Sequence, residues 1–162
     1  MRKTTLALAL GAAVALAAPA AFSQHPGLPP AGPAVIHPEE THLRNLRQLT
    51  FGGQNAEGYW SADGKSIVYQ GMNEPEGVMC DQQYVVDVAT GKSRRVSSGK
   101  GRVTCGYFYD GDRRVLYAST HLADPACPPP VDHSKGYAWA MTAGYDIVSH
   151  ALDGSGFKRL TD

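Results

Sequence analysis

The stretch Tyr59-Trp60-Ser61-Ala62-Asp63-Gly64-Lys65-Ser66-Ile67-Val68-Tyr69 decides the fold. It reads as two short strands joined by a tight turn. Asp63-Gly64 is a hairpin signal, because a two-residue loop needs positive φ angles that Gly and Asp tolerate. The flanks are β-branched and aromatic, which suits a pleated, half-buried surface. The pattern returns 48 residues later as Phe108-Tyr109-Asp110-Gly111-Asp112-Arg113-Arg114-Val115-Leu116-Tyr117. Trp60 then matches Phe108, and Ile67-Val68-Tyr69 matches Val115-Leu116-Tyr117. A unit recurring at this period points to a stacked or radial repeat architecture.

Working outward, a second marker recurs beside the hairpins. Arg94-Arg95-Val96-Ser97 and Lys158-Arg159-Leu160-Thr161 share a basic, basic, aliphatic, hydroxyl order, and Arg47-Gln48-Leu49-Thr50 repeats it with Gln48 in one basic slot. The spacing predicts strands over 59–61, 66–70, 83–88 and 93–97, with the turn Ala89-Thr90-Gly91-Lys92 between the last two. A second set is expected over 107–109, 114–119, 146–151 and 157–161, closed by the turn around Asp153-Gly154. Four antiparallel strands per unit at this period make an all-β chain of β-propeller blades, about two of them, in an incomplete ring. The connection from Thr120 to Tyr145 is an insertion, and loops of that length are often functional.

The first 23 residues read as a signal peptide. Met1-Arg2-Lys3 supplies the positive end and Leu6 to Ala18 the apolar run. Small residues follow up to Ser23, near which cleavage is expected. About 13 apolar residues fall short of the ~20 that span a bilayer. Residues 24–43 are a Pro-rich linker, and 44–162 carry the repeats. The chain holds 15 Lys+Arg and 15 Asp+Glu. Losing Arg2 and Lys3 with the leader leaves a net charge near −2, which offers no basic footprint for nucleic acid. An exported, periplasmic protein with no membrane span in its mature chain is the expectation.

Trp60-Ser61-Ala62-Asp63-Gly64-Lys65 followed by Ile67-Val68-Tyr69 resembles the TolB-type propeller repeat, a relative of the WD repeat, whose usual core is W-S-P-D-G-K. Ala62 stands where the repeat has Pro, and the copy at Phe108 is degenerate. Asp153-Gly154 and Arg159-Leu160-Thr161 match the closing part. The residues that carry the repeat are thus Trp60, Asp63, Gly64, Phe108, Asp153 and Gly154. The resemblance is to the repeat and not to TolB itself, which carries an α/β domain before its blades; here only about 20 Pro-rich residues separate the leader from the first strand. Such propellers usually have six or more blades, so the resemblance implies an N-terminal fragment of a longer protein. In an intact ring, Leu46–Thr50 would be the outer strand of the last blade.

Cys80, Cys105 and Cys127 are disulfide candidates in an exported chain, and their odd number leaves one over. All three fall at one end of the blades. A Cys105–Cys127 bridge would pin the insertion, whereas a Cys80–Cys105 bridge would staple neighbouring blades; either needs Cα atoms within ~7 Å. The six His are scattered without a metal-binding spacing, so no metal or cofactor is expected. Asp63, Asp110 and Asp153 belong to turns, where carboxylates bond the backbone. Gly91-Lys92-Ser93 lacks the upstream Gly of a phosphate loop, and Gly154-Ser155-Gly156 is not a nucleophile elbow. Tyr137, Trp139 and Tyr145 in the insertion form a candidate partner-binding face, since aromatic residues beside Pro make protein-contact anchors. The expected function is a non-catalytic protein-binding or scaffold module. Two enzymes are the alternatives. One is a prolyl-oligopeptidase-like serine hydrolase whose catalytic domain would follow Asp162. The other is a metal-dependent propeller hydrolase, for which only Glu57, Thr104 and Cys105 stand at inner-strand starts.

Overall fold

The computed structural model describes residues 32–33, 37–137 and 142–162, with side-chain placement from 37 onward. The expected leader and much of the Pro-rich linker lie outside them. The strands are β1 (Gly32–Pro33), β2 (Arg47–Gln48), β3 (Gln54–Trp60), β4 (Ser66–Asn73), β5 (Val78–Asp87), β6 (Ser93–Arg95), β7 (Val103–Tyr109), β8 (Arg114–Ser119), β9 (Asp146–Ala151) and β10 (Lys158–Arg159). They form two four-stranded antiparallel sheets, β3-β4-β5-β6 and β7-β8-β9-β10, beside a two-stranded β1-β2 pair. The chain is therefore all-β, with two blades that follow each other in sequence.

The hairpin at Asp63-Gly64 forms, although its loop is longer than expected. Ser61 N donates to Ser66 O at 2.9 Å and Gly64 N to Ser61 O at 3.0 Å, so four residues, Ala62 to Lys65, make the turn. Only Gly64, at φ 69°, takes the left-handed region; Asp63 instead accepts from Ser61 Oγ at 2.8 Å and Lys65 N at 3.0 Å. In the second blade Asp110, Gly111 and Asp112 all have positive φ. Asp112 Oδ2 accepts from Asp63 N at 3.2 Å and joins the two turns.

Both inner strands begin earlier than their alternation suggested. The register shifts between Ala56 and Tyr59 in β3, and between Thr104 and Tyr107 in β7. At each shift a non-glycine residue is left-handed, Glu57 at φ 52° and Cys105 at φ 51°, followed by Gly58 or Gly106. A bulge adds a residue and resets which face each side chain takes. Strand periodicity is thus legible only after it. β5 likewise starts at Val78, because a single 3-10 turn, Glu74–Glu76, returns the chain directly into the sheet.

The core lies between the blades. Val68, Val85 and Val96 from the first blade pack with Val103, Val115, Tyr117 and Val148 from the second, and Tyr59 and Phe108 border them. Trp60 is not part of it. Its register partner is Ile67, so it occupies the opposite face of β3 and is 59% exposed. Trp60 thus carries the repeat motif from outside this core, and the neighbouring Tyr59, paired with Val68, points inward instead.

Polar side chains fasten the two blades. Gln70 Oε1 accepts from Cys105 N and from Thr104 Oγ1, both at 3.0 Å. Gln83, fully buried, donates its amide nitrogen to Tyr69 O at 3.2 Å and accepts from Gly106 N at 3.3 Å. Gln82 Nε2 donates to Gly101 O at 3.0 Å, and its oxygen accepts from Ser97 Oγ and Gly99 N. The connector between blades is thereby tied to β5. Gly101 sits there at φ 62°, and a Cβ would lie 2.7 Å from His121 N. Gly101→Ala is expected to destabilise by about 2 kcal/mol through left-handed strain and crowding, read as a lower urea midpoint at unchanged slope.

The recurring basic, aliphatic, hydroxyl marker now has a physical role. Thr161 Oγ1 donates to Asp146 Oδ1 at 2.9 Å and accepts from Ile147 N at 3.0 Å. Ser97 Oγ does the same with Gln82 Oε1 and Gln83 N, at 2.7 and 3.0 Å. The hydroxyl clips the end of each outer strand to the strand beside it, at the start of β9 in the second blade and midway along β5 in the first. Arg159 adds an ion pair to Asp146 at 2.8 Å. The third copy differs, because β2 pairs with β1 rather than with a blade.

Candidate partner-binding face

The insertion after β8 leaves from the blade end opposite the hairpin turns. Thr120 starts it, with its carbonyl accepting from Ala123 N and Asp124 N at 3.0 Å. Pro125 O accepts from Gly101 N at 2.8 Å, and Arg102 Nη2 donates to Pro128 O at 3.4 Å. Proline-rich sequence has few backbone donors, so its carbonyls are held by groups of the neighbouring connector.

Cys80 and Cys127 are bridged, with Cα atoms 5.7 Å apart. Neither pairing named from the sequence, Cys105–Cys127 or Cys80–Cys105, is formed. Because β5 begins at Val78, Cys80 lies inside the strand, below the path of the insertion. Cys105 takes the bulge of β7 and is an exposed free thiol. The bridge fastens the loop of the second blade to a strand of the first. A polar hollow of about 150 Å³ lies beside it, lined in part by Met79, Gln82, Arg95 and Gly101.

Beyond the bridge, Tyr137 is 78% exposed and stacks on His133, ring centroids 5.4 Å apart and planes within 5°. Tyr145 is partly exposed, and burial of its remainder raises its phenol pKa. Trp139, the third member of the expected face, lies outside the described residues. Asp153 accepts from Ser155 N at 2.9 Å and Ser155 Oγ at 2.6 Å, which holds the Asp153-Gly154 turn at the other end of the blade. Phe108, the repeat mate of Trp60, is half-buried against the interblade core.

The groups considered for chemistry do not converge. Glu57 accepts from the Tyr59 hydroxyl, while Thr104 and the Cys105 backbone are committed to Gln70. Among the described residues, no group of three or more His, Cys, Asp or Glu is placed to hold a metal ion. Nor is any described helix long and apolar enough to cross a membrane.

A buried cluster escaped the sequence reading. His150 is buried, and its Nδ1 lies 2.7 Å from the Tyr117 hydroxyl. Phe157 packs against His150 and His121, and Ser119 Oγ meets His121 Nδ1 at 2.7 Å. Burial pushes the His150 pKa down to about 4, with positive His121 and Arg114 nearby adding to the effect. An unfolded His takes its proton near 6.5, so between these values the unfolded chain binds the additional proton. Stability is therefore expected to fall by roughly 2 kcal/mol as pH drops from about 6.5 to about 4. Urea midpoints across that range, compared with His150→Gln, should show a shallower slope for the variant. The signal for this cluster was a His at an inward position of an alternating strand.

No protein-family model and no curated protein matches the chain. Among solved structures it is similar to "The structure of putative TolB from Agrobacterium tumefaciens", at 21% identity and a TM-score of 0.53. The match covers 72% of this chain and 34% of that one, so the chain spans about one third of that protein's length. At this identity the likeness speaks to the fold, and it agrees with the two four-stranded sheets: they resemble TolB propeller blades.

Proposed function

We propose that this chain is an exported, non-catalytic propeller module, acting in the periplasm, that binds a protein partner through the end carrying the insertion. One observation supports this reading above the others. The insertion is braced by the Cys80–Cys127 bridge and presents Tyr137, stacked on His133, to solvent. Bracing a loop before binding lowers the ordering cost of association, and exposed aromatic rings are favoured contact anchors. A bridged cysteine pair also fits an oxidising compartment.

Site-specific photo-crosslinking tests the proposal. A crosslinker at position 137 is expected to capture one dominant protein in the exporting host, and Tyr145→Ala to reduce the yield. A crosslinker at Lys65, in the turn at the opposite end of the blade, is the control. Equal capture at both positions, or none at 137, would remove the insertion as the binding face.

A further inference from the structure

Arg95 stands apart from the other cations of the chain. It is half-buried, and among the described residues it makes no hydrogen bond or ion pair. Tyr84, its register partner in β5, supplies no counter-charge: burial pushes that phenol up to about 12, so it stays neutral. A guanidinium carries five N–H donors, and withdrawing them from water without an acceptor is costly. The fold nevertheless seats this one firmly. A Cβ on Gly99, at φ 82°, would lie 2.9 Å from Arg95 Cζ, 2.9 Å from Nη2 and 3.1 Å from Nη1. Nearly equal distances to these atoms place the flat face of the group against Gly99, where only glycine leaves room. Stacked in this way, the guanidinium keeps the donors along its edge free.

The same two residues wall the polar hollow of about 150 Å³ beside the Cys80–Cys127 bridge. Its other walls come from the turn leading into β5, from the connector at Gly101 and from the insertion at Pro125. Gln82 is only 2% exposed, and its amide is committed to Gly101 O, Ser97 Oγ and Gly99 N. Met79, Gly99 and Pro125 are exposed, so the hollow opens to solvent at its rim. Among the described residues, Arg95 is the one charged side chain that lines it.

We propose that this hollow receives one carboxylate, the Asp or Glu side chain of the protein partner, held by the edge of Arg95. The proposal rests on the reading that this end binds a protein, and it supplies the chemistry of the partner's anchor. Size favours a side chain, because sites for whole small ligands run to ~300–1,000 Å³. Charge favours a carboxylate, since one guanidinium balances one negative charge and a phosphate group brings about −1.5 to −2. A planar fork of two N–H groups also meets both carboxylate oxygens at once. Gly99 and the bridge hold the walls before the partner arrives, so little ordering remains on contact.

NMR titration of the oxidised chain tests this. The probe is the peptide acetyl-Gly-Glu-Gly-amide, with its Gln analogue as neutral control and inorganic phosphate as the rival anion. The Glu peptide should shift the Arg95 Nε–H and the Gly99 and Gly101 amides along one saturable curve, more weakly at high salt. The Gln analogue should shift none of them. Arg95→Gln should abolish the amide shifts. Arg95→Lys, which keeps the charge but not the fork, should weaken binding about tenfold. Gly99→Ala moves the guanidinium off its seat and should act likewise, which guards against a folding defect in either one; circular dichroism verifies each variant. No response, shifts that the Gln analogue reproduces, shifts that survive Arg95→Gln, or shifts from phosphate alone would each overturn the proposal. The result is separable from the crosslinking. Capture at 137 with a silent Arg95 removes the hollow and leaves the binding face. A saturable Glu response without capture keeps the carboxylate seat and removes a protein as its source.

Discussion

Tyr117→Ala is expected to lower the unfolding free energy by about 3–5 kcal/mol, whereas Trp60→Ala should change it by less than about 1 kcal/mol. The Tyr117 ring is fully buried in the interblade core. Truncation removes its contacts and leaves a cavity between two sheets that cannot close independently. It also strips the 2.7 Å hydroxyl partner from His150 Nδ1, a buried polar atom. Trp60 loses little because its ring is already largely in water. Urea midpoints that ranked the two substitutions the other way would contradict the assignment of faces along β3 and β8.

Cys127→Ser is expected to cost about 4 kcal/mol, the loop-closure value for a bridge whose cysteines are 47 residues apart. Its effect should be uneven along the chain. The turns at the opposite blade end stay hydrogen-bonded, while the insertion keeps its contacts at Pro125 and Pro128 and loses its covalent tie. Limited proteolysis should accordingly cut first within 128–137. Thiol titration of the native wild type should find one reactive group, Cys105; three would show that the bridge does not form. If the insertion is the binding face, the variant should also crosslink more weakly at position 137, because the loop must then be ordered on contact.

The particular residues that the sequence reading placed and misplaced share a cause. Strands over 114–119 and 146–151 were legible to the residue, because no bulge interrupts the pairing of β8 with β9. β3 and β7 were truncated at Tyr59 and Tyr107, because a bulge inverts the alternation before them. Trp60 carries the repeat motif, yet its ring lies outside the interblade core. Its neighbour Tyr59 faces inward, a distinction of one register step that hydrophobicity does not encode. Gln70, Gln82 and Gln83 drew no attention, yet they carry the hydrogen bonds that join the blades. A glutamine in a strand looks like a solvated residue until the partner sheet is in place.

What the chain alone determined is the local unit: strand, turn, strand, recurring at a fixed interval and ending in a hydroxyl that clips neighbouring strands. Alternation, turn chemistry and repetition are properties of adjacent residues, so sequence suffices for them. Which face of each blade is covered, which two of three cysteines meet, and which glutamines are buried were decided only by tertiary structure. Those outcomes depend on how one sheet stacks on another, and residues 47 positions apart then share a covalent bridge that no local pattern announces.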